Sequence, residues 1–184
     1  MNSIPVHAIW LAQDDPKKNT AVLAGKRGNL RLHKNLRTLP KRGFILDPLC
    51  GKVFGPEDHH VLLEQHGAIV GLDCSWAHIE TSVQQVMKKT RLQPRMLPLL
   101  LAANPVNWGK PGRLTTAEAL ATILYLIGRK EQASEVLGAF RWGDRFFQLN
   151  QEPLDAYAEA KTSEELVATQ FEFFDVDIDP SKEE

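Results

Sequence analysis

Cysteine is scarce in this chain of 184 residues: Cys50 and Cys74 are its two thiols. Two thiols are too few for a disulfide framework or a four-cysteine zinc site. Long apolar runs are missing as well, and no stretch reaches the ~20 residues that a membrane-spanning helix requires. The amino-terminal Met-Asn-Ser-Ile-Pro-Val-His lacks a basic segment followed by an apolar one, so no signal peptide is expected. Neither CxxC nor HExxH occurs, and the adjacent His59 and His60 would face different ways on a helix, so no metal is expected. There is no glycine-rich phosphate loop and no internal repeat. Together these absences lead to an expectation of a reduced, cytoplasmic protein with no membrane partner.

What is present is an ordinary globular composition with a lopsided charge. Residues 1–113 hold 16 basic and 8 acidic side chains, whereas residues 114–184 hold 6 basic and 15 acidic. A basic half suits a polyanion, because neutralising phosphates releases counterions and steers association. A solvated surface with an acidic tail is the alternative reading of the same bias. The cations of 26–42 are interleaved with Leu30, Leu32, Leu36 and Leu39, so that segment packs and is not a disordered arm.

In chain order, Val6–Ala12 reads as a buried strand, followed by a polar loop to Thr20, whose hydroxyl could cap a helix. Phe44-Ile45-Leu46 reads as a short strand stopped by Asp47-Pro48. Glu57–Gly67 reads as a helix, and Ala68–Asp73 as a second buried strand. A helix opens at Ser75 or Trp76 and runs to about Lys89. Strands alternating with helices define an α/β fold with a parallel sheet, whose ligands bind at the carboxyl ends of strands. There the loops Asp14–Thr20, Asp47–Pro48 and Asp73–Trp76 would converge. Beyond Thr115 the pattern is helical: Ala117–Ile127, Lys130–Phe140, Gly143–Leu149, Leu154–Ala160 and Ser163–Phe174. The expected organisation is an α/β half, 1–92, followed by a helical half, 93–184, with the ligand in the cleft between them.

The densest polar signal lies in Asn104–Arg113, where Asn104, Asn107, Trp108, Lys110 and Arg113 crowd a loop before a helix capped by Thr115 or Thr116 with Glu118 in its first turn. Asp73, at a strand end before a polar turn, could act as a base or simply stabilise that turn. Trp76 could be core or ligand contact, Trp108 has less reason to be core, and Trp142 reads as packing. Cys74 reads as a small buried hydrophobe before it reads as a nucleophile.

Several segments match one family in order: Asp14-Asp15-Pro16-Lys17-Lys18-x-Thr20, Leu46-x-Pro48, Gly71-Leu72-Asp73-Cys74-Ser75-Trp76, Ala102-Ala103-Asn104-Pro105-Val106-Asn107-Trp108-Gly109, Leu114-Thr115-Thr116-Ala117-Glu118-Ala119-Leu120 and Phe140-x-Trp142-Gly143. By these segments, which span nearly the whole chain, the protein resembles the small-subunit rRNA aminocarboxypropyltransferases in their short archaeal-type form. The resemblance implies a SPOUT-like, knotted architecture. It also implies a reaction in which S-adenosyl-L-methionine gives its 3-amino-3-carboxypropyl group to a (methyl)pseudouridine of small-subunit rRNA. The partner would be that rRNA or a pre-ribosomal particle, and the protein a monomer. An RNA methyltransferase and a non-catalytic rRNA-binding assembly factor are the other readings.

The same resemblance distributes roles. Thr20 and the backbone near Thr116 would hold the cofactor's carboxylate; Leu46, Pro48, Leu97, Leu114 and Ala119 would wall the adenosine. The Leu72 backbone would meet the ribose, Trp76 would bury the sulfonium methyl, and Asp73 would be the acid at the transfer centre. Lys17, Lys18, Arg27, Lys110 and Arg113 would hold phosphates, and Trp108 would stack on a splayed base. Trp108 stands where a tyrosine is more usual, and Asp47 where a serine is common.

Overall fold

The computed structural model describes residues 3–11, 19–73 and 78–175. Among them, five strands form one wholly parallel sheet in the order β2-β1-β4-β3-β5. They are β1 (Val6–Trp10), β2 (Arg31–His33), β3 (Gly43–Leu46), β4 (Ala68–Asp73) and β5 (Gln93–Arg95). The central strands are buried on both faces, as a parallel sheet covered by helices requires.

Alternation along the strands divides the core in two. Val6, Ala8, Phe44, Leu46 and Ile69 point into a large cluster that also takes in the helical half. Ile9, Ile45, Val70 and Leu72 point the other way, against α3 (Ile79–Lys89) and the turn at Leu36–Thr38. A period of two along a strand dictates this division. On the first face lie α1 (Thr20–Lys26) and α4 (Thr116–Leu126). The chain then runs through α5 (Lys130–Leu137), α6 (Gly143–Leu149), α7 (Gln151–Glu159) and α8 (Ser163–Phe173). Trp142 stacks on Phe140 at 4.8 Å between ring centres, which is packing.

α4 is the element around which both halves assemble. Nine of its eleven residues are buried, and it touches β4, α1, α5 and α7. Gly71 explains how it comes so close to β4. A Cβ at that position would stand 2.5 Å from Thr116 Cγ2 and 3.3 Å from Leu120 Cδ1.

Two expectations shift. The helix expected over 57–67 is a 3₁₀ turn, Pro56–Asp58, followed by α2 (His59–Leu63). It stops before His66, which takes φ 55°, and Gly67, whose N–H donates to the Val61 carbonyl at 2.8 Å. The basic, leucine-rich segment 26–42 contains an edge strand, β2. The last strand, β5, begins at Gln93, immediately after the 92/93 division drawn between the halves.

Candidate active site at the carboxyl edge of the sheet

β1, β4 and β3 are neighbours running the same way, and register pairs Trp10 with Asp73 and Leu46 with Arg95. Their carboxyl ends therefore open at one edge of the sheet. Asp73, the last residue of β4, is half-buried there. It is held by Asn19, which is buried. The Asn19 Nδ2 amide donates to Asp73 Oδ2, while Asn19 Oδ1 accepts the Val22 N–H at 2.9 Å. One side chain thus caps α1 and aims the carboxylate.

Thr20 is the cap expected from sequence, and the structure corrects this. Asn19 holds the extended backbone that a cap residue needs, with φ −79° and ψ 119°. Thr20 is the first helical residue, and its Oγ1 accepts the Ala117 N–H of α4 at 3.4 Å. The two helix starts are tied together beside Asp73.

Glu118 organises the other side. It is wholly buried, and its carboxylate accepts hydrogen bonds on both oxygens. Oε1 takes the Ala103 N–H at 2.7 Å and the Asn104 N–H at 3.1 Å. Oε2 takes the Asn104 amide at 2.9 Å, the Thr115 N–H at 2.7 Å and the Thr115 hydroxyl at 2.9 Å. The Thr115 Oγ1 in turn accepts the Glu118 N–H at 3.3 Å, closing a capping box. Thr115, not Thr116, is therefore the cap. This carboxylate welds the loop after residue 102 to the start of α4, a role sequence reasoning did not assign. The pattern Thr115-x-x-Glu118 was its one visible signal.

The loop itself is a tight projection. Gly109 N–H donates to the Ala102 carbonyl at 2.7 Å and Ala102 N–H to the Lys110 carbonyl at 3.1 Å. Gly109, with φ 73°, supplies the left-handed turn. Val106 is 85 % exposed and Trp108 51 %, with Lys110 exposed beside them. Arg113 is half-buried, and its carbonyl accepts the Asn104 amide at 3.3 Å.

The apolar candidates flank the same edge. Leu46 ends β3 with Pro48 just beyond it, Leu97 follows β5, and Leu114 and Ala119 bracket the start of α4. Leu46 is buried, while Leu97, Leu114 and Ala119 are half-exposed on the large cluster. Leu72 packs on the opposite face of the sheet, so only its backbone can face this site. Asp47, the departure from the family pattern, is buried and accepts the Leu49 N–H at 2.9 Å. Burial is the main influence raising the pKa of the nearby Cys50 thiol, which keeps it protonated at neutral pH.

Not every expected residue joins this edge. Arg27 lies at the far end of the seven-residue α1, roughly 10 Å along the helix from Thr20. Its guanidinium donates to the Gly138 carbonyl at 3.2 Å. Trp76, Lys17 and Lys18 lie outside the described residues.

The donor set fits S-adenosylmethionine. Half-exposed apolar walls suit an adenine. Thr20, Thr116 and the amino end of an eleven-residue helix suit a carboxylate. An oriented acid, Asp73, suits a cationic centre.

The wholly parallel sheet, with these side chains gathered at its carboxyl edge, is that of an α/β protein that takes its ligand at the strand ends. The family model described as "Ribosome biogenesis protein, C-terminal" matches residues 44–174. The 16S rRNA aminocarboxypropyltransferase of Methanosarcina acetivorans is 41 % identical over 167 residues, covering 91 % of this chain and 92 % of the relative. That of Halobacterium salinarum is 39 % identical, covering 95 % and 99 %. The solved SAM-dependent rRNA:acp-transferase of Vulcanisaeta distributa superposes with a TM-score of 0.76 at 36 % identity, covering 93 % and 96 %. The chain belongs to the 16S rRNA aminocarboxypropyltransferase family.

Proposed function

We propose that this protein transfers the 3-amino-3-carboxypropyl group of S-adenosylmethionine to a (methyl)pseudouridine of 16S rRNA during ribosome biogenesis. Family membership over nearly the whole chain supports the reaction class and the cofactor. The observation that carries the residue-level reading is Asp73, held by Asn19 at the strand end and facing the start of α4. When bound, S-adenosylmethionine supplies a sulfonium whose C–S bond breaks as the acceptor nitrogen bonds to the aminocarboxypropyl carbon, leaving methylthioadenosine.

The chain's own residues select and orient. Thr20 and the first turn of α4 anchor the amino-acid carboxylate, and Leu46, Pro48, Leu97, Leu114 and Ala119 enclose the adenosine. Trp76, three residues after Asp73 in the sequence, keeps the methyl away from the acceptor. Geometry of this kind chooses among the three carbons of the sulfonium by which one it leaves facing the nucleophile. Asp73 accepts or relays the proton that the acceptor nitrogen loses. Lys17, Lys18, Lys110 and Arg113 meet phosphates, and Trp108 stacks on a base beside the target.

The coarse division into an α/β half, 1–92, and a helical half, 93–184, with the cofactor in the cleft between them, belongs to the same reading, as do a knotted chain and a cytoplasmic monomer.

Mass spectrometry of nucleosides tests the reaction. The protein, S-adenosylmethionine and 16S rRNA carrying the acceptor are incubated, and the rRNA is digested. Gain of an aminocarboxypropyl group, lost in Asp73→Ala and Trp76→Ala, is the expected result. Gain of a methyl would overturn the group transferred, and no gain on any small-subunit RNA would favour a non-catalytic assembly factor.

A further inference from the structure

A second feature lies at the opposite, amino-terminal edge of the sheet, where β3 and β5 begin. A cleft of about 620 Å³ opens there between the approach to β3, the end of α3 and the start of β5. Five cations line it: Lys41, Arg42, Lys88, Lys89 and Arg91. No carboxylate among the described residues lines it. All five side chains are exposed, and none has an ionic partner among the described residues. In a chain whose formal net charge is −1, this is a local concentration of positive charge.

The cleft is preformed. The Arg91 N–H donates to the Lys41 carbonyl at 3.0 Å, and the Ala68 N–H to the Arg42 carbonyl at 3.1 Å. Gly43 forms part of the floor with φ 122°, and a Cβ there would stand 2.0 Å from the Ala68 carbonyl oxygen. Helix-end chemistry accounts for part of the charge. Lys88 and Lys89 close the last turn of α3, where cations complement the helix dipole, and Lys41 Nζ donates to the Lys89 carbonyl at 3.0 Å. It does not account for Arg42 and Arg91, which belong to no helix. The lining also holds one apolar side chain, Val61, itself buried, whereas a protein-binding surface has an apolar centre.

We propose that this cleft is a second phosphate-binding site, which grips the rRNA backbone away from the nucleotide being modified. The proposal rests on the reading of 16S rRNA as the acceptor. β4, six residues long, separates the two edges by roughly 20 Å at the ordinary rise of a strand. One RNA could therefore touch both edges as an extended or folded segment.

The test compares full-length wild type with Arg42→Gln/Arg91→Gln. Both side chains are exposed, and Lys88 and Lys89 are left to close α3. A control, Arg145→Gln/Lys161→Gln, removes the same charge from exposed positions in the helical half. Binding to a 16S rRNA fragment carrying the acceptor is measured by fluorescence anisotropy across a salt series. Turnover and S-adenosylmethionine affinity are measured in parallel. The cleft variant should lose about 3- to 10-fold in RNA affinity, with the salt slope reduced by about 1–2. KM for RNA should rise while kcat and cofactor affinity hold. An RNA affinity and slope equal to the wild type's, or a loss matched by the control, would overturn the site, including the case where an acidic protein partner is lost instead. Wild type that turns over no rRNA would overturn the acceptor reading itself, and with it the proposal.

Discussion

Asn19 donates its amide to the carboxylate of Asp73 while its carbonyl oxygen caps α1, so one buried side chain couples a helix start to a strand end. The two duties can be separated. Asn19→Ser keeps a good cap and removes the amide donor. Its melting temperature should stay within a few degrees of wild type, and aminocarboxypropyl transfer should fall about 10-fold or more, the loss of one charge-assisted hydrogen bond. Asn19→Ala loses both and should cost about 1 kcal/mol of stability in addition. Equal transfer rates in Asn19→Ser and wild type would show that Asp73 does not depend on the Asn19 amide for its placement.

Glu118 predicts a larger structural effect. Its two oxygens satisfy buried and half-buried donors from residues 103, 104 and 115. Glu118→Gln replaces one acceptor with an NH₂ that faces those donors. Leaving buried donors unmet costs about 1–3 kcal/mol each, so a loss of about 2–4 kcal/mol is expected, read from the urea midpoint. Weaker cofactor binding should accompany it, because Leu114 and Thr116 lose their register against the loop.

The contrast between these residues shows what could be read without coordinates. β1, β3 and β4 were legible because their buried runs are apolar, and α4 to α8 because their apolar positions recur at helical spacing. β2 and β5 were hidden: Arg31–His33 and Gln93–Arg95 are three-residue edge strands rich in polar side chains, which carry no such signal. Thr20 reads as a cap because Asn and Thr are both cap residues, and only backbone dihedrals decide between neighbours. Glu118 showed its capping box, since that is local. Its bonds to Ala103 and Asn104, 15 and 14 residues away, depend on how the loop folds back. The basic cleft gathers cations from separate stretches of the chain, and sequence displays them only as a general excess.

Trp108 is exposed on a loop held rigid from below, so removing its indole should leave stability within about 0.5 kcal/mol. If it stacks on a base, Trp108→Ala should weaken rRNA binding by about 1–3 kcal/mol, and Trp108→Tyr should restore most of that. S-adenosylmethionine affinity should not move in either variant. Isothermal titration with cofactor and anisotropy with RNA separate the two effects.

His7 and His33 make stability depend on pH. Thr38 Oγ1 donates to the Asn35 carbonyl at 2.7 Å, so it accepts from His33 Nδ1 at 2.8 Å. His33 Nε2 is then the acceptor for His7 Nδ1–H at 2.8 Å, and the chain of bonds works with both rings neutral. Desolvation by burial, then the charges of His33 and Arg31, lowers the His7 pKa to about 4; burial, then Arg31, lowers that of His33. An unfolded histidine protonates near its ordinary value of ~6.5. Between that pH and about 4 the unfolded chain binds more protons than the folded one, so stability falls as pH falls through this window. Urea midpoints measured from about pH 7 down to about pH 4 should decline, and His7→Phe should flatten the decline even if it lowers stability at neutral pH. A His7→Phe profile as steep as wild type's would assign the pH dependence to other groups.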